Sequence, residues 1–402
     1  MGEETGALSG IRVLDLSRVL SGPYCTMILA DQGAEVVKIE RPMGGDDARH
    51  YGPPDAGTDS GFFVSINRNK KSVVLDLKHA DGRALLLRLA AEADVLVENF
   101  RPGVMDRLGY SHEILLAANP RLIYCSISGF GQTGPYRDRP GYNMTVQALS
   151  GAMTLTGEDG TPPHPIGLPV GDIPAGIYAA TAIAMALFQR ERTGEGRRID
   201  ISLFDALVSM VEFPVIRYGL TGVNPSPMGT RHPSITPYGI FRTQDVPIVV
   251  AVGSDSLWRT FSRVLERPSW LEDPRFADNA SRTVHVDALC AEIEKALAAR
   301  PASFWIDRLL VEGIPVAPIQ RVADLFHDPH ARERGIVTQL EQPGHGPVTV
   351  VGSPIQWIPA LSTRHHGAPA LGEHTRTVLQ DWLALPAEEV DGYIERGAIA
   401  EG

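Results

Sequence analysis

Apolar and polar residues alternate in short runs over the first 130 residues, and helix-like stretches separate these runs. The pattern predicts strands over residues 11–15, 33–40, 72–77, 95–98 and 121–126, and helices over 24–32 and 81–92. Strands that alternate with helices are typical of a parallel sheet, so this region predicts an α/β, Rossmann-like fold. No GxGxxG follows the first strand, so the fingerprint of a dinucleotide site is absent.

A long apolar segment in the middle of the chain predicts one helix over residues 173–191. It is rich in alanine and has no proline after Pro174, and its low polarity predicts burial on several sides. A strand over 199–203 and a helical stretch over 205–213 are expected next, before prolines and glycines dominate as far as Pro237.

These patterns predict three regions. We expect a large Rossmann-like domain over 1–225 and a smaller α+β domain over 226–330, which contains a strand at 248–252. The C-terminal segment over 331–402 is rich in loops, includes a helix over 375–383, and is expected to return to the large domain.

Composition, charge and motif spacing argue against several classes of protein. The 402 residues carry a formal net charge of −11, so a nucleic-acid partner is not expected. The cysteines Cys25, Cys125 and Cys290 form no CxxC pair, which favours a reducing, cytoplasmic location. The first six residues are acidic and are not followed by an apolar signal region, so export is not expected. No apolar run reaches the roughly 18 residues of a membrane span, so a membrane partner is not expected either. The histidines lack metal-ligand spacing and no serine lies in a GxSxG elbow, so neither a metal nor a serine hydrolase is expected.

Asp172 is the sharpest catalytic candidate. It stands where the long helix begins, with Pro174 in the first turn, so its carboxylate would lie at the positive end of the helix. An ordinary N-cap aspartate has the same signature. The small residues Gly171, Ala175 and Gly176 would also allow a ligand or another backbone to approach the carboxylate closely.

Two further segments could bind anions. Glycines in the loop over 128–135 could aim backbone amides at an oxyanion, with Gly131 and Gln132 as the candidates, although most such loops are simple turns. The segment over 98–107 places two arginines after a strand, where an open α/β sheet binds phosphorylated ligands.

Several motifs, taken in order, resemble the class III CoA-transferase family, which includes the formyl-CoA transferases and the CaiB/BaiF-like proteins. They lie at residues 10–18, 21–23, 33–42, 67–72, 98–103, 129–135 and 171–172. The resemblance covers almost the whole chain. It implies a Rossmann-like large domain, a small domain, a C-terminal return and a homodimer with two interlocked subunits.

The resemblance also implies roles for individual residues. Asp172 matches the nucleophilic aspartate of the family. The implied CoA contacts are Leu20, Ser21, Arg41, Leu75, Asp76, Leu77, Lys78, Asn99, Phe100, Arg101, Arg107 and Tyr142. The arginines and the lysine suit the phosphates of CoA.

The resemblance leaves three functions open. The first is a CoA-transferase that works through aspartyl anhydride and aspartyl-CoA thioester intermediates. The second is a 2-methylacyl-CoA racemase, and the third is a non-catalytic CoA-binding protein. Transfer is favoured over racemisation because Tyr142 occupies the place of the racemase histidine, and tyrosine, with an ordinary pKa of about 10, relays protons poorly at neutral pH.

The substrate is expected to be a dicarboxylate. The segment over 250–255 has one glycine where formyl-CoA transferases have a glycine run, which argues against formate and oxalate. The segment over 229–238 looks like that of enzymes that move CoA between dicarboxylates such as succinate and glutarate. Arg231, beside His232, could pair with the remote carboxylate, or it could be an arginine held for packing.

Overall fold

The computed structural model describes residues 6–53, 55–56, 59–361 and 365–402. The chain forms two compact units: the first takes its residues from Met1–Met153, Pro165–Leu220 and Pro329–Gly402, and the second from Thr154–His164 and Thr221–Asp328. The short segment 154–164, which the sequence analysis assigned to the large domain, belongs to the second unit.

The strands are numbered in chain order. They are β1 (Arg12–Asp15), β2 (Glu35–Glu40), β3 (Asp55–Ala56), β4 (Asp59–Ser60), β5 (Lys70–Leu75), β6 (Val95–Glu98), β7 (Ile123–Ser128), β8 (Arg197–Ser202), β9 (Tyr238–Phe241), β10 (Ile248–Ala251), β11 (Val316–Pro318), β12 (Val337–Gln342), β13 (Gly346–Val351) and β14 (Ile399–Ala400).

The α-helices are numbered in the same way. They are α1 (Ser21–Asp31), α2 (Gly61–Ile66), α3 (Ala80–Glu92), α4 (Val104–Leu108), α5 (His112–Ala118), α6 (Asn143–Leu149), α7 (Asp172–Thr193), α8 (Leu203–Val208), α9 (Glu212–Thr221), α10 (Asp255–Val264), α11 (Asn279–Val284), α12 (Val286–Leu297), α13 (Ala302–Val311), α14 (Val322–Leu325), α15 (Pro329–Glu333), α16 (Thr375–Leu383) and α17 (Ala387–Glu395).

A seven-stranded sheet forms the centre of the first unit. Its order is β14-β5-β2-β1-β6-β7-β8, and every pair except β14–β5 is parallel. The predicted α/β fold with a parallel sheet is therefore confirmed. From β1 the chain runs outward through β2 to β5 and then crosses to β6 on the other side of β1. This reversal creates the switch point at which open α/β sheets bind ligands, outside the carboxyl ends of their strands.

The C-terminal segment joins this sheet. Strand β14 pairs antiparallel with β5, with Ile399 opposite Leu75. Helix α16 has the predicted bounds, and its Val378, Leu379 and Trp382 are buried in the same apolar core as residues of β5 and α3. The antiparallel pair β12–β13 and helix α17 were not predicted.

The second unit has a separate core. Strands β9, β10 and β11 form an antiparallel sheet, and α10, α12 and α13 contribute buried residues such as Trp258, Leu289 and Trp305 to one cluster.

Helix α7 differs from its prediction in burial. One side is buried, but Ile177, Tyr178, Met185 and Phe188 are each at least 46% exposed in this single chain, so burial on several sides is not reached within one chain. Among the described residues, α7 alone has the length and apolarity of a membrane-spanning helix, which core helices of soluble proteins also have.

Candidate active site

The backbone at the start of α7 places Asp172. Gly171 occupies the N-cap position, and Asp172 is the first residue of the helix. The N-cap interpretation is therefore wrong: the Asp172 side chain caps no backbone amide, and no described residue donates a hydrogen bond to it. Burial raises the pKa of Asp172 to about 6. At pH 7 roughly nine-tenths of the carboxylate is still ionised, and its charge has no donor among the described residues.

A polar brace, made of hydrogen bonds from side chains of α6, holds the segment of chain that leads to Asp172. The amide of Gly171 donates to Oδ1 of Asn143 at 2.9 Å, and the side-chain amide of Gln147 donates to the same oxygen at 3.2 Å. Gln147 is fully buried, and its Oε1 accepts the amide of Ile166 at 2.8 Å. This brace ties α6 to the segment 166–171 that leads into α7. Tyr142, directly before α6, is 71% exposed.

The first turns of α7 pack tightly against α1. A Cβ atom at Gly176 would lie 2.7 Å from the carbonyl oxygen of Ser21, so only glycine allows this approach. Helix α1 starts at Ser21, three residues before its predicted start, because Pro23 is tolerated in a first turn. Leu20 and Ser21, both buried, therefore lie at the end of α1 that faces the start of α7.

A cavity of about 430 Å³ opens at the carboxyl ends of β1, β2, β5 and β6. Seven of the expected CoA contacts line it: Arg41, Leu75, Asp76, Leu77, Lys78, Phe100 and Arg101. The sequence patterns alone could not assign 75–78 to this cavity, because the residues carry no signature beyond a strand end.

The other expected CoA contacts lie outside that lining. Asn99 binds the loop before α1: its Oδ1 accepts the amide of Arg18 at 2.8 Å and its Nδ2 donates to the carbonyl of Arg18 at 2.7 Å. Its Nδ2 also lies 3.4 Å from Oγ of Ser21. Arg107 lies on α4, near the backbone of Gly103.

The sequence model of CoA-transferase family III matches residues 8–375 of the chain. The chain belongs to CoA-transferase family III. The predicted family is therefore confirmed, and so is the prediction that the protein is an enzyme of this class.

Named relatives cover nearly the whole chain. An acetyl-CoA:oxalate CoA-transferase of Acetobacter aceti is 42% identical over 95% of this chain and 97% of its own length. The human succinyl-CoA:glutarate CoA-transferase is 35% identical over 98% of this chain and 90% of its own. The crystal structure of a CaiB/BaiF family protein from Brucella suis matches with a TM-score of 0.83 and 38% identity, over 94% of this chain and 100% of the other.

One amide of the proposed oxyanion loop of this CoA-transferase already donates a hydrogen bond within the protein. Gly131 adopts a φ of +84°, and the amide of Gln132 donates to Oδ2 of Asp200 at 2.9 Å. An oxyanion role for Gln132 stays a prediction, and it requires that this bond opens during the reaction.

Arg231 and His232 belong to the second unit of the CoA-transferase. Arg231 donates to the carboxylate of Asp287, a hydrogen bond that raises the pKa of the guanidinium. The ring of His232 stacks on Tyr238, with centroids 5.1 Å apart. Arg231 thus already pairs with a carboxylate, and a substrate carboxylate would have to replace Asp287.

A buried ionic network beside the cavity was not predicted from the sequence. Lys38 pairs with Asp46 at 2.9 Å, and Lys70 pairs with Asp15 at 3.0 Å, all with fully buried side chains. Charged residues inside apolar strands were the available signal. Among residues 6–53, 55–56, 59–361 and 365–402, no group of three or more His, Cys, Asp or Glu could hold a metal ion, and the absence of a metal stays a prediction.

Proposed function

We propose that this CoA-transferase moves CoA from succinyl-CoA or another dicarboxyl-CoA to a free carboxylic acid, with Asp172 as the nucleophile. The observation that carries the proposal is the ionised, half-buried carboxylate at the start of α7, to which no described side chain or amide donates. A carboxylate with a pKa of about 6 needs no general base at neutral pH.

The chemistry runs through four acyl transfers. An oxygen of Asp172 attacks the acyl-CoA carbonyl, the carbon–sulfur bond breaks, and a mixed anhydride and the CoA thiolate form. The thiolate attacks the aspartyl carbonyl of the anhydride, which releases the donor acid and leaves an aspartyl-CoA thioester. The incoming carboxylate attacks this thioester and expels the thiolate. The thiolate then attacks the acyl carbonyl of the second anhydride, which yields the new acyl-CoA and restores Asp172.

The cavity at the sheet edge supports CoA as the substrate that remains bound during these steps. Its lining includes Arg41, Lys78 and Arg101, which suit the phosphates of CoA. The loop 16–18 lines the same cavity and leads into α1, which packs on the first turns of α7. This continuity supports a CoA molecule whose phosphates lie at the sheet edge and whose thiol reaches Asp172.

Dicarboxylates are the proposed acids. The two relatives described above are named for oxalate and for glutarate, both dicarboxylates. The single glycine over 250–255 counts against oxalate, but the 42% identity to the oxalate enzyme counts more strongly for it. Oxalate therefore belongs among the acids to be tested.

We also propose that the protein is a homodimer with interlocked subunits. Helix α9 buries none of its residues within the single chain, and its Phe213, Val215, Ile216, Tyr218 and Leu220 are each at least 49% exposed. Together with the exposed face of α7, these side chains support a protein–protein interface, because exposed clusters of apolar residues mark such sites on soluble proteins. The three buried, unpaired cysteines support a cytoplasmic location.

The test offers succinyl-CoA with a panel of free acids, including glutarate and oxalate, and identifies new thioesters by mass spectrometry. Asp172→Ala should abolish their formation and leave CoA binding in place, whereas the matched surface variant Asp138→Ala should be active. Turnover by Asp172→Ala near the wild-type rate would remove Asp172 from the mechanism. Solvent deuterium at the α-carbon of a 2-methylacyl-CoA without thioester exchange would indicate a racemase, and CoA binding with neither reaction would indicate a binding protein.

A further inference from the structure

Three charged side chains meet at the rim of the 430 Å³ cavity. Nη1 of Arg18 lies 3.4 Å from Oδ2 of Asp47, and Nη2 of Arg41 donates to Oδ1 of the same carboxylate. Both arginines line the cavity. The side chains of Arg18, Arg41 and Asp47 are 42%, 51% and 37% exposed, so a ligand from solvent can reach them.

The backbone holds this arrangement in place. Asn99 binds both the amide and the carbonyl of Arg18, at 2.8 and 2.7 Å, and so fixes that residue to the end of β6. The buried carboxylate of Asp46 accepts the amide of Val19 at 3.0 Å and the amide of Ala48 at 2.9 Å. Asp46 therefore joins Val19, which follows Arg18, to Ala48, which follows Asp47.

The Arg18 guanidinium also has an aromatic platform. It lies 5.3 Å from the centroid of the Phe100 ring, which lines the same cavity. This contact restricts the guanidinium without using its hydrogen-bond donors, one of which bonds to Asp47.

A carboxylate between two guanidinium groups occupies the position that a phosphate of a ligand would take. Arginine donors match carboxylate and phosphate oxygens with the same planar geometry. We propose that Arg18, with Arg41, binds a phosphate group of CoA, and that Asp47 occupies the arginine pair until that phosphate displaces it. The proposal rests on the proposed CoA site. It adds Arg18 as a further binding residue and Asp47 as a carboxylate that competes with the phosphate for the arginines.

If a CoA phosphate displaces Asp47, replacement of Arg18 and replacement of Asp47 should have opposite effects on CoA binding. Loss of Arg18 removes charge-assisted hydrogen bonds from the complex and should weaken CoA binding about tenfold. Loss of the Asp47 charge removes a competing anion from the free enzyme, so CoA should bind about threefold or more tightly, because the phosphate no longer replaces an existing partner. Neither residue takes part in the acyl transfers, so kcat should stay within about twofold of the wild type in both variants.

The test measures CoA binding by calorimetry and the kinetics of thioester formation in the full-length wild type, Arg18→Gln, Asp47→Asn and the control Arg88→Gln. Arg88 forms a similar surface ion pair, with Glu389 at 3.5 Å, on α3. We expect Arg18→Gln to raise Kd and KM about tenfold, Asp47→Asn to lower both, and Arg88→Gln to change neither. Dephospho-CoA identifies the phosphate: if Arg18→Gln weakens CoA alone, the contact is the 3′-phosphate, and if it weakens both ligands equally, the contact is the pyrophosphate.

Two results would overturn the proposal while the proposed function stands. In the first, the wild type binds CoA and Arg18→Gln binds it equally well. In the second, Asp47→Asn binds CoA more weakly than the wild type, which would make Asp47 a support and not a competitor. If the wild type itself binds no CoA, the proposed function fails, and the inference fails with it.

Discussion

Replacement of Asp172 by Asn should stabilise the folded protein, and the gain should depend on pH. Burial raises the pKa of Asp172 from its ordinary 3.8 to about 6. Between these values the folded state binds more protons than the unfolded state, so this group makes the free energy of unfolding fall as pH rises through that window. Each pH unit is worth about 1.4 kcal/mol, so the buried charge costs the folded protein about 3 kcal/mol at pH 7.

Asn keeps the shape of the side chain but has no charge to bury. The difference in stability between Asp172→Asn and the wild type should therefore rise from about 1 kcal/mol at pH 4.5 to about 3 kcal/mol at pH 7, and then stay constant. Urea unfolding followed by circular dichroism over this pH range measures it. Asp138→Asn, at a side chain that is 83% exposed, provides the control and should give a small, flat difference.

Two outcomes would refute this reasoning. If Asp172→Asn is no more stable than the wild type at pH 7, the charge of Asp172 meets a stabilising partner, and the nucleophile is not the unpartnered group described above. If the gain is the same at every pH, it does not come from the ionisation of Asp172. In either case the elevated pKa could not be used to explain reactivity.

Three further predictions follow from the same region. If the carboxylate form of Asp172 is the nucleophile, as proposed, kcat should decline below about pH 6 and fall about tenfold by pH 5, measured with a monocarboxylate acceptor at saturation. Gly171→Ala places a Cβ atom 2.6 Å from Cγ2 of Val146, so it should lower kcat at least about tenfold with little change in the Kd of CoA, because it shifts the start of α7. Gly176→Ala directs a Cβ atom at the backbone of Ser21, 2.7 Å away, and should lower the free energy of unfolding by about 1–3 kcal/mol in urea titrations.

Periodicity predicted the central sheet well because each parallel strand is a short apolar run between turn signals. Strand β6 has the predicted bounds, and β5 and β7 are each displaced from theirs by two residues. Helix α7 was also predicted within two residues at each end. Its exposed side was not, because an apolar side chain in the protein core and one on an exposed helix face leave the same pattern in a sequence.

Less of the candidate site than of the fold could be predicted from the sequence. Asp172 could be singled out from the helix start, but the absence of a hydrogen-bond donor to it depends on the tertiary packing around α7. The contact of Arg18 with Asp47 joins residues 29 positions apart, and it exists because Asp46 and Asn99 hold two loops together. No local spacing encodes such a pair.

A comparison of Asp172 with Asp15 indicates what would separate the proposed nucleophile from a structural carboxylate. Both lie in the first unit, Asp15 fully buried and Asp172 half-buried, and burial by itself raises the pKa of each. At Asp15 this effect is outweighed by the charges of Lys70 and Lys38 and by hydrogen bonds from Ser17 and Thr26, which lower its pKa to about 2.

The Asp15 carboxylate is therefore charged but surrounded by donors, and its lone pairs are occupied. Asp172 has the opposite environment: it is partly desolvated and no described group donates to it, so its oxygen retains the basicity that the proposed attack on a thioester requires. Donors placed around Asp172 would stabilise the fold and lower the nucleophilicity of the carboxylate. If Asp172 is the nucleophile, the cost of burying its charge is a requirement of the chemistry and not a defect in packing.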